Sequence, residues 1–208
     1  MSLKLLTKKI PSEWLESPPS GATFEGLGER IQFNRNHLYV DAGSVDNFLD
    51  FYRAVAEDVN QVSGYEALPI HEYRRDGKDG ERVETKDFYG GIQFMFPFAL
   101  GDLGRYELCV ICYTPKKGSD VSESVHRGHE EVEAIQDMGY MDQLVERGVI
   151  PPGIKGETAG YIGAIHAARR LKLPDSETRI YMEAMQSASS TDPDDVENVE
   201  KAMKLCRL

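Results

Sequence analysis

Residues 105–118 read RYELCVICYTPKKG, and the pattern of the chain changes within this stretch. Arg105–Thr114 is an almost unbroken run of β-forming residues, which is typical of a central strand. Before this run the chain has the pattern of strands around one helix, whereas after Lys116 it has the pattern of helices joined by acidic loops. Because strands and helices are segregated along the chain instead of alternating, the sequence predicts an α+β fold.

The part of the chain before this stretch predicts a βαβββ-like order. Alternating apolar residues predict a strand over 31–40, and apolar side chains at helical spacing predict a helix over 45–62. Further strands are expected at 68–75, 82–87 and 88–100, with the turn sequence DGKDG between the first two. Together these elements predict an antiparallel or mixed sheet of four to five strands.

The part of the chain after Lys116 predicts a helical region. The expected helices are 124–137, 141–147, 157–171, one that begins at 174 and one that begins after Asp192. We therefore divide the chain into an irregular N-terminal segment (1–30), an α+β sheet domain (31–116) and a helical region (117–208). The helical region is expected either to pack on the sheet or to form a subdomain of its own.

The charge of the chain argues against two classes of partner. Its 208 residues carry a formal net charge of −11, and the basic residues are scattered. Nucleic acids and anionic membrane surfaces are bound by clustered Lys and Arg, so neither is expected as a partner. No apolar run approaches the roughly 20 residues of a membrane helix, and a secretory signal is not indicated. Three cysteines without disulfide-framework spacing predict a soluble protein of the reducing cytoplasm.

One predicted helix carries imidazoles and carboxylates on a single face. If 124–137 is helical, four side chains share that face: His126, His129, Glu130 and Glu133. Such a set could hold a divalent metal ion, although the HExxH motif of zinc proteases is absent. The alternative, which the sequence favours, is a solvated acidic face opposite the apolar face of the same helix.

Other reactive residues have structural interpretations. Cys109 and Cys112 have the spacing of a redox or metal CxxC motif, but redox pairs usually begin a helix, whereas this pair lies in a predicted strand. We therefore interpret both as buried structural cysteines. His166 lies among apolar residues and is interpreted as a packed helix residue. No nucleophile-elbow, dinucleotide-binding or P-loop motif occurs, so none of those chemistries is indicated.

The segment 37–55 reads HLYVDAGSVDNFLDFYRAV, in which a strand that opens with His37 leads into a capped helix with a Phe-Tyr pair. Later in the chain, a glycine-containing turn leads to a strand that carries Glu107. This arrangement resembles one module of the vicinal oxygen chelate superfamily, which includes glyoxalases and extradiol dioxygenases. The resemblance covers residues 31–115, which is less than half of the chain.

The resemblance implies a metal-dependent enzyme. In metal-bearing members, the strand His and the last-strand Glu are ligands, and these correspond to His37 and Glu107. The implied cofactor is a divalent metal that polarises two neighbouring substrate oxygens, and the implied enzyme is a lyase, isomerase or dioxygenase. Two modules normally build one site, so a single module implies a homodimer. A ferredoxin-like sheet has a similar element order, and in it His37 would be an ordinary sheet residue.

Three classes of function remain open from the sequence. No catalytic set of residues is compelling, so the sequence favours a module that binds a small molecule or a protein partner. The alternative is the metal-dependent enzyme, with a site completed by dimerisation. The third class is an assembly protein, whose contact is formed by small residues of helix 157–171: Gly160, Ala164 and Ala168. Apart from a divalent metal, the sequence indicates no cofactor.

Overall fold

The computed structural model of the chain describes residues 21–34, 37–41, 90–99, 105–114 and 123–188. These residues fall into two compact units. The helical unit contains 21–32 and 123–188, and the sheet unit contains 33–34, 37–41, 90–99 and 105–114. Each unit has buried apolar side chains of its own.

The helical unit combines a short hairpin with four helices. Strands β1 (Ala22–Phe24) and β2 (Glu29–Ile31) pair in antiparallel fashion. The helices are α1 (Glu123–Asp137), α2 (Met141–Glu146), α3 (Gly156–Arg170) and α4 (Asp175–Ala188). Helix α3 packs against both α1 and α4. The four corresponding helix predictions are confirmed, with bounds that shift by one residue, and the helix predicted after Asp192 lies outside the described residues.

Polar groups hold the turn of the hairpin to the helices. The Glu131 carboxylate on α1 accepts hydrogen bonds from the backbone N–H groups of Gly26 (3.2 Å) and Leu27 (2.9 Å). The Arg170 guanidinium at the end of α3 donates hydrogen bonds to the carbonyl oxygens of Glu25 and Gly26. Three apolar side chains of the hairpin are fully buried: Phe24, Leu27 and Ile31. The hairpin is therefore part of the core of the helical unit.

All of the hairpin except Ile31 lies within segment 1–30, for which the sequence predicted no regular structure. The strand predicted over 31–40 also differs from the structure, because Ile31 ends β2 in the helical unit and the next strand begins at His37 in the sheet unit. Apolar residues alternate through this region, so the sequence gives no signal of the change of unit. The partner strands decide where each strand begins and ends.

Small residues bring α1 and α3 close together. A Cβ atom at Gly163 would lie 2.6 Å from the carbonyl oxygen of Gly128, and one at Gly128 would lie 2.7 Å from Cβ of Ala167. The face of α3 toward α1 therefore consists of Gly160, Gly163 and Ala167, so it differs from the predicted stripe at two of its three positions. This face is covered within the helical unit, so it is not a free surface for assembly.

The sheet unit contains a three-stranded sheet with the order β3–β5–β4. Its strands are β3 (His37–Asp41), β4 (Gly90–Ala99) and β5 (Arg105–Thr114). Strand β5 is central, as predicted, and it is parallel to β3 and antiparallel to β4. Both faces of the sheet bury side chains, with Leu38, Val40 and Val110 on one face and Cys109 and Tyr113 on the other.

The predicted sheet of four to five strands is wrong for the described residues, which form one sheet of three strands and a separate two-stranded hairpin. The structure has the mixture of strands and helices of an α+β protein. A run of β-forming residues shows that a segment suits a strand, but it does not identify the segment that supplies the hydrogen-bonding partner. The helix predicted at 45–62 and the strands predicted at 68–75 and 82–87 lie outside the described residues. Among the helices that the structure describes, none is long and apolar enough to span a membrane.

Candidate metal centre

Helix α1 directs one imidazole and two carboxylates toward a common point. His129, Glu130 and Glu133 each offer one ligand atom, and these atoms all lie within 4.8 Å of one another. His129 and Glu133 are one helical turn apart, so they share a face of the helix. His129 is only 9% exposed and Glu130 only 4%. The interpretation of this face as solvated is therefore wrong for these two residues.

Helix α3 closes the other side of the cluster. The Nε2 atom of His129 lies 3.2 Å from Oε1 of Glu133 and 3.5 Å from Oε2 of Glu157, which lies in the first turn of α3. Gly160 makes room for the imidazole, because a Cβ atom there would lie 2.7 Å from Cε1 of His129. A glycine inside a helix destabilises it by about 0.5–1 kcal/mol relative to alanine. Gly160 carries this cost at the position where the His129 ring packs closely against α3.

The surroundings of the cluster raise the pKa values of its two buried groups. Burial raises the pKa of the Glu130 carboxyl to about 8, and the neighbouring carboxylates add to the rise while His129 opposes it. Burial alone would lower the pKa of His129, but its hydrogen bond with Glu133 and the carboxylates around it outweigh burial and raise the pKa. At neutral pH the cluster therefore holds protons that a bound cation would displace.

Two buried atoms of the cluster have no hydrogen-bond partner among the described residues, namely Oε2 of Glu130 and Nδ1 of His129. Buried polar atoms nearly always have a partner, which is a protein group, a water molecule or an ion. An unpaired oxygen on a side chain that is 4% exposed is energetically unfavourable unless something binds it. Imidazole nitrogen and carboxylate oxygen are common metal ligands, so the residues present fit a divalent metal ion.

His126, the fourth predicted member of this face, has a different partner. Its Nδ1 atom is hydrogen-bonded to the hydroxyl of Tyr181 on α4, at 3.0 Å. The Tyr181 ring also lies beside His129, with ring centroids 6.5 Å apart. The structure therefore brings three of the four predicted residues together as possible ligands and places His126 in contact with α4.

The sheet unit brings together the two residues that the resemblance implies as ligands. His37 and Glu107 are register partners on the parallel strands β3 and β5, and Nε2 of His37 lies 2.9 Å from Oε2 of Glu107. The other ring nitrogen of His37 lies 2.6 Å from Oδ1 of Asn34. The Glu107 side chain is 62% exposed. This pair supplies two ligand atoms, so it fits a metal ion only if further ligands come from elsewhere.

The sequence does not identify Glu157 as a member of the helical cluster. Its only sequence signal is that of an acid in the first turn of a helix, which complements the helix dipole and does not single out a ligand. Gly160, three residues later, did signal a close helix contact, but the sequence does not say which helix is in contact. Knowledge of the pairing of α1 with α3 is needed to place Glu157 beside His129.

Cys109 and His166 have the structural roles that the sequence favoured, and the side chain of Cys112 lies outside the described part of the structure. Cys109 is fully buried in β5, which agrees with a structural role. His166 is half-buried on α3 and is hydrogen-bonded to the backbone of Leu27. Burial is the main cause that lowers the pKa of His166. This histidine therefore helps to seat the hairpin turn on α3.

Comparisons of the chain with protein-family models, with curated proteins and with solved structures find no match. The geometry of the described residues therefore carries the functional argument. That geometry defines a class of site, which is a buried histidine–carboxylate cluster between two helices.

Proposed function

We propose that the protein binds a divalent metal ion in the helical unit, through His129, Glu130 and Glu133. The sequence favours a module that binds a small ligand, and in this proposal that ligand is a metal ion. The observation that carries the proposal is the convergence of three ligand atoms within 4.8 Å, where Oε2 of Glu130 has no partner among the described residues. A bound cation would supply that partner and would balance the negative charge of the carboxylates.

The donor set indicates which metals to test. Imidazole suits Zn²⁺, Fe²⁺, Cu²⁺ and Ni²⁺, whereas carboxylates suit Mg²⁺, Ca²⁺ and Mn²⁺. One imidazole with two carboxylates therefore points to Zn²⁺, Fe²⁺ or Mn²⁺. Three protein ligands leave at least one coordination position for a further group, and a metal with an open position acts as a Lewis acid on oxygen atoms.

Metal content and metal affinity test this proposal. The untagged protein is analysed for bound metals, stripped with a chelator and titrated with Zn²⁺ and Mn²⁺ by calorimetry. We expect one ion per chain in the wild type and loss of binding in His129→Ala and Glu133→Gln. Glu146→Gln is the matched control, because Glu146 is an exposed glutamate on α2 of the same unit. Equal affinity in all four proteins, or no binding by the wild type, would contradict the proposal.

A second candidate function is the vicinal oxygen chelate-like enzyme in the sheet unit. The observation that favours it is the 2.9 Å contact between His37 and Glu107 on adjacent strands. In this proposal the pair supplies two metal ligands and a second copy of the chain supplies the others, so the enzyme is a homodimer. Calorimetry on His37→Ala and Glu107→Gln, with sedimentation to measure the oligomeric state, tests it. Unchanged metal binding in both variants, or a monomer, would exclude it.

We further propose that the protein acts in the cytoplasm and has no nucleic-acid partner. The net charge of −11 supports a function without nucleic acid, and unchanged mobility of DNA and RNA probes on gels would agree with this. Three cysteines without disulfide-framework spacing suit a reducing compartment, and we propose the cytoplasm. Recovery of the protein outside the cytosolic fraction of its cell would refute that location.

A further inference from the structure

We infer that Glu157 of α3 is a fourth ligand of the proposed metal centre. This inference rests on the proposed metal binding and extends it, because ligands from α1 and α3 together would make the ion a link between two helices. A cluster of acidic residues is not by itself evidence of a metal site. The unpartnered Oε2 of Glu130, on a side chain that is 4% exposed, independently points to a bound group at this position.

The distances around His129 match those of a coordination sphere. Its Nε2 atom lies 3.2 Å from Oε1 of Glu133 and 3.5 Å from Oε2 of Glu157. In a tetrahedral site with metal–ligand bonds of about 2.0–2.1 Å, neighbouring donor atoms are about 3.3 Å apart. The separation of each carboxylate from the ring nitrogen is therefore close to the one that a shared ion requires. Glu157 lies outside the set of three residues whose ligand atoms are all within 4.8 Å of one another, so its exposed side chain would move toward the ion to join them.

Glu157 is oriented by a neighbour on its own helix. Tyr161, one turn later on α3, donates a hydrogen bond from its hydroxyl group to the Glu157 carboxylate. The ring of Tyr161 also packs against His129, with ring centroids 5.0 Å apart. Tyr161 thus touches one ligand from each helix. Outer partners that fix the orientation of ligands in this way are typical of metal sites.

The exposure of the side chains differs strongly across the cluster. The His129 side chain is 11% exposed and that of Glu133 is 20% exposed, whereas that of Glu157 is 66% exposed. Glu157 therefore lies on the solvent-facing side of the cluster, where an ion would enter. Since Glu157 lies on α3 and the other proposed ligands lie on α1, an ion bound by both helices would add a direct link between them.

Titrations of the full chain with Zn²⁺ and Co²⁺ separate this inference from the proposal on which it rests. Calorimetry measures Zn²⁺ affinity, visible absorption of Co²⁺ reports its coordination, and thermal unfolding measures stabilisation by Zn²⁺. The variants are Glu157→Gln, His129→Ala and the matched control Glu146→Gln. Because Glu157 is exposed and Gln keeps its size, Glu157→Gln is expected to fold as the wild type does.

We expect Glu157→Gln to weaken Zn²⁺ binding by more than about tenfold, since even outer partners of ligands change metal affinity by about 10- to 100-fold. The variant should also change the Co²⁺ spectrum and lose most of the Zn²⁺-dependent rise in Tm, while Glu146→Gln matches the wild type. Wild-type affinity and spectrum in Glu157→Gln, with binding lost in His129→Ala, would overturn the role of Glu157 and leave metal binding intact. Absence of Zn²⁺ binding in the wild type would overturn both.

Tyr161→Phe tests whether the tyrosine positions Glu157. Removal of the hydroxyl group should weaken Zn²⁺ binding by about tenfold and change the Co²⁺ spectrum in the wild-type background. It should have no further effect on binding when combined with Glu157→Gln, because the two residues act through one interaction. An equal loss of Tm in both backgrounds, with an unchanged Co²⁺ spectrum, would overturn this positioning role.

Discussion

The helical unit and the sheet unit each hold a histidine against a carboxylate, at similar distances but in different surroundings. The Nε2 atom of His129 lies 3.2 Å from Glu133, and that of His37 lies 2.9 Å from Glu107. The partner carboxylate is 20% exposed in the helical unit and 62% exposed in the sheet unit. The first pair is also surrounded by further carboxylates, whereas the second ring nitrogen of His37 lies beside the neutral Asn34.

Distance alone therefore does not distinguish a binding site from a surface ion pair. Exposed ion pairs contribute about 0–1 kcal/mol to stability, because water screens the attraction between the two charges. Several carboxylates that are removed from water together are unfavourable as anions, so they hold protons or bind a cation. Burial, accumulated negative charge and an unpartnered oxygen therefore mark the helical cluster as the stronger candidate.

The neighbouring acids Glu130 and Glu131 give the largest expected contrast in stability. Glu131 is 1% exposed and accepts two backbone hydrogen bonds, and bonds to a charged group contribute about 1.5–3 kcal/mol each. In metal-free buffer at neutral pH, Glu131→Gln should lower the free energy of unfolding by about 2–3 kcal/mol. Glu130→Gln should leave it unchanged or raise it, because Gln removes an unfavourable buried acid. Urea denaturation measures both, and equal losses would show that Glu130 has a stabilising partner.

Substitutions at Gly160 and Gly163 separate helix packing from ligand position. Alanine at either residue overpacks the contact between α1 and α3, which costs about 1–3 kcal/mol and is partly offset by about 1 kcal/mol of helix propensity. Both variants should therefore lose about 1–2 kcal/mol of stability. Only Gly160→Ala displaces the His129 ring, so it alone should weaken Zn²⁺ binding by about tenfold or more. Thermal unfolding and calorimetry measure the two effects, and equal Zn²⁺ affinities would contradict the assigned geometry.

The pH dependence of stability tests the buried charges of the helical cluster. The pKa of Glu130 is raised from 4.5 to about 8 in the folded chain, so the folded state binds more protons than the unfolded state within that window. Stability therefore falls as pH rises, by up to about 1.4 kcal/mol per pH unit for one proton. The raised pKa of His129 adds to the fall above its usual value of 6.5.

Urea denaturation of metal-free protein between pH 5 and 8 (a range set by the window above) measures this slope. Glu130→Gln is the control and should reduce it. Metal affinity should change in the opposite direction, rising with pH, because a bound ion requires Glu130 to lose its proton. A flat stability profile in the wild type would show that Glu130 is not held protonated.

The sheet pair should give the smallest effect. Because Glu107 is 62% exposed, Glu107→Gln should change the free energy of unfolding by less than about 1 kcal/mol, and high salt should reduce the effect further. His37→Ala should leave Zn²⁺ affinity unchanged if the helical cluster is the metal site. A loss of metal binding in His37→Ala, with binding retained in His129→Ala, would reverse the comparison and favour the enzyme proposed for the sheet unit.

Parts of the candidate site follow from the sequence alone. The spacing of His129, Glu130 and Glu133 places them together on any helix, because the geometry of 3.6 residues per turn is local. In the same way, the run over Arg105–Thr114 predicts β5 and its central position. The burial of the acids does not follow, since Glu is rarely buried and the sequence pattern favours a solvated face.

Four helices of the second half, the central strand and the residue types on one face of α1 follow from the sequence, because these depend on local propensity and periodicity. The tertiary structure decided that residues 22–31 form a hairpin on the helices, and that α3 brings Glu157 and Gly160 to His129. It also decided that the side chains of Glu130 and Glu131 are buried. Each of these depends on contacts between segments that are distant in the chain, and a linear pattern does not encode which segments meet.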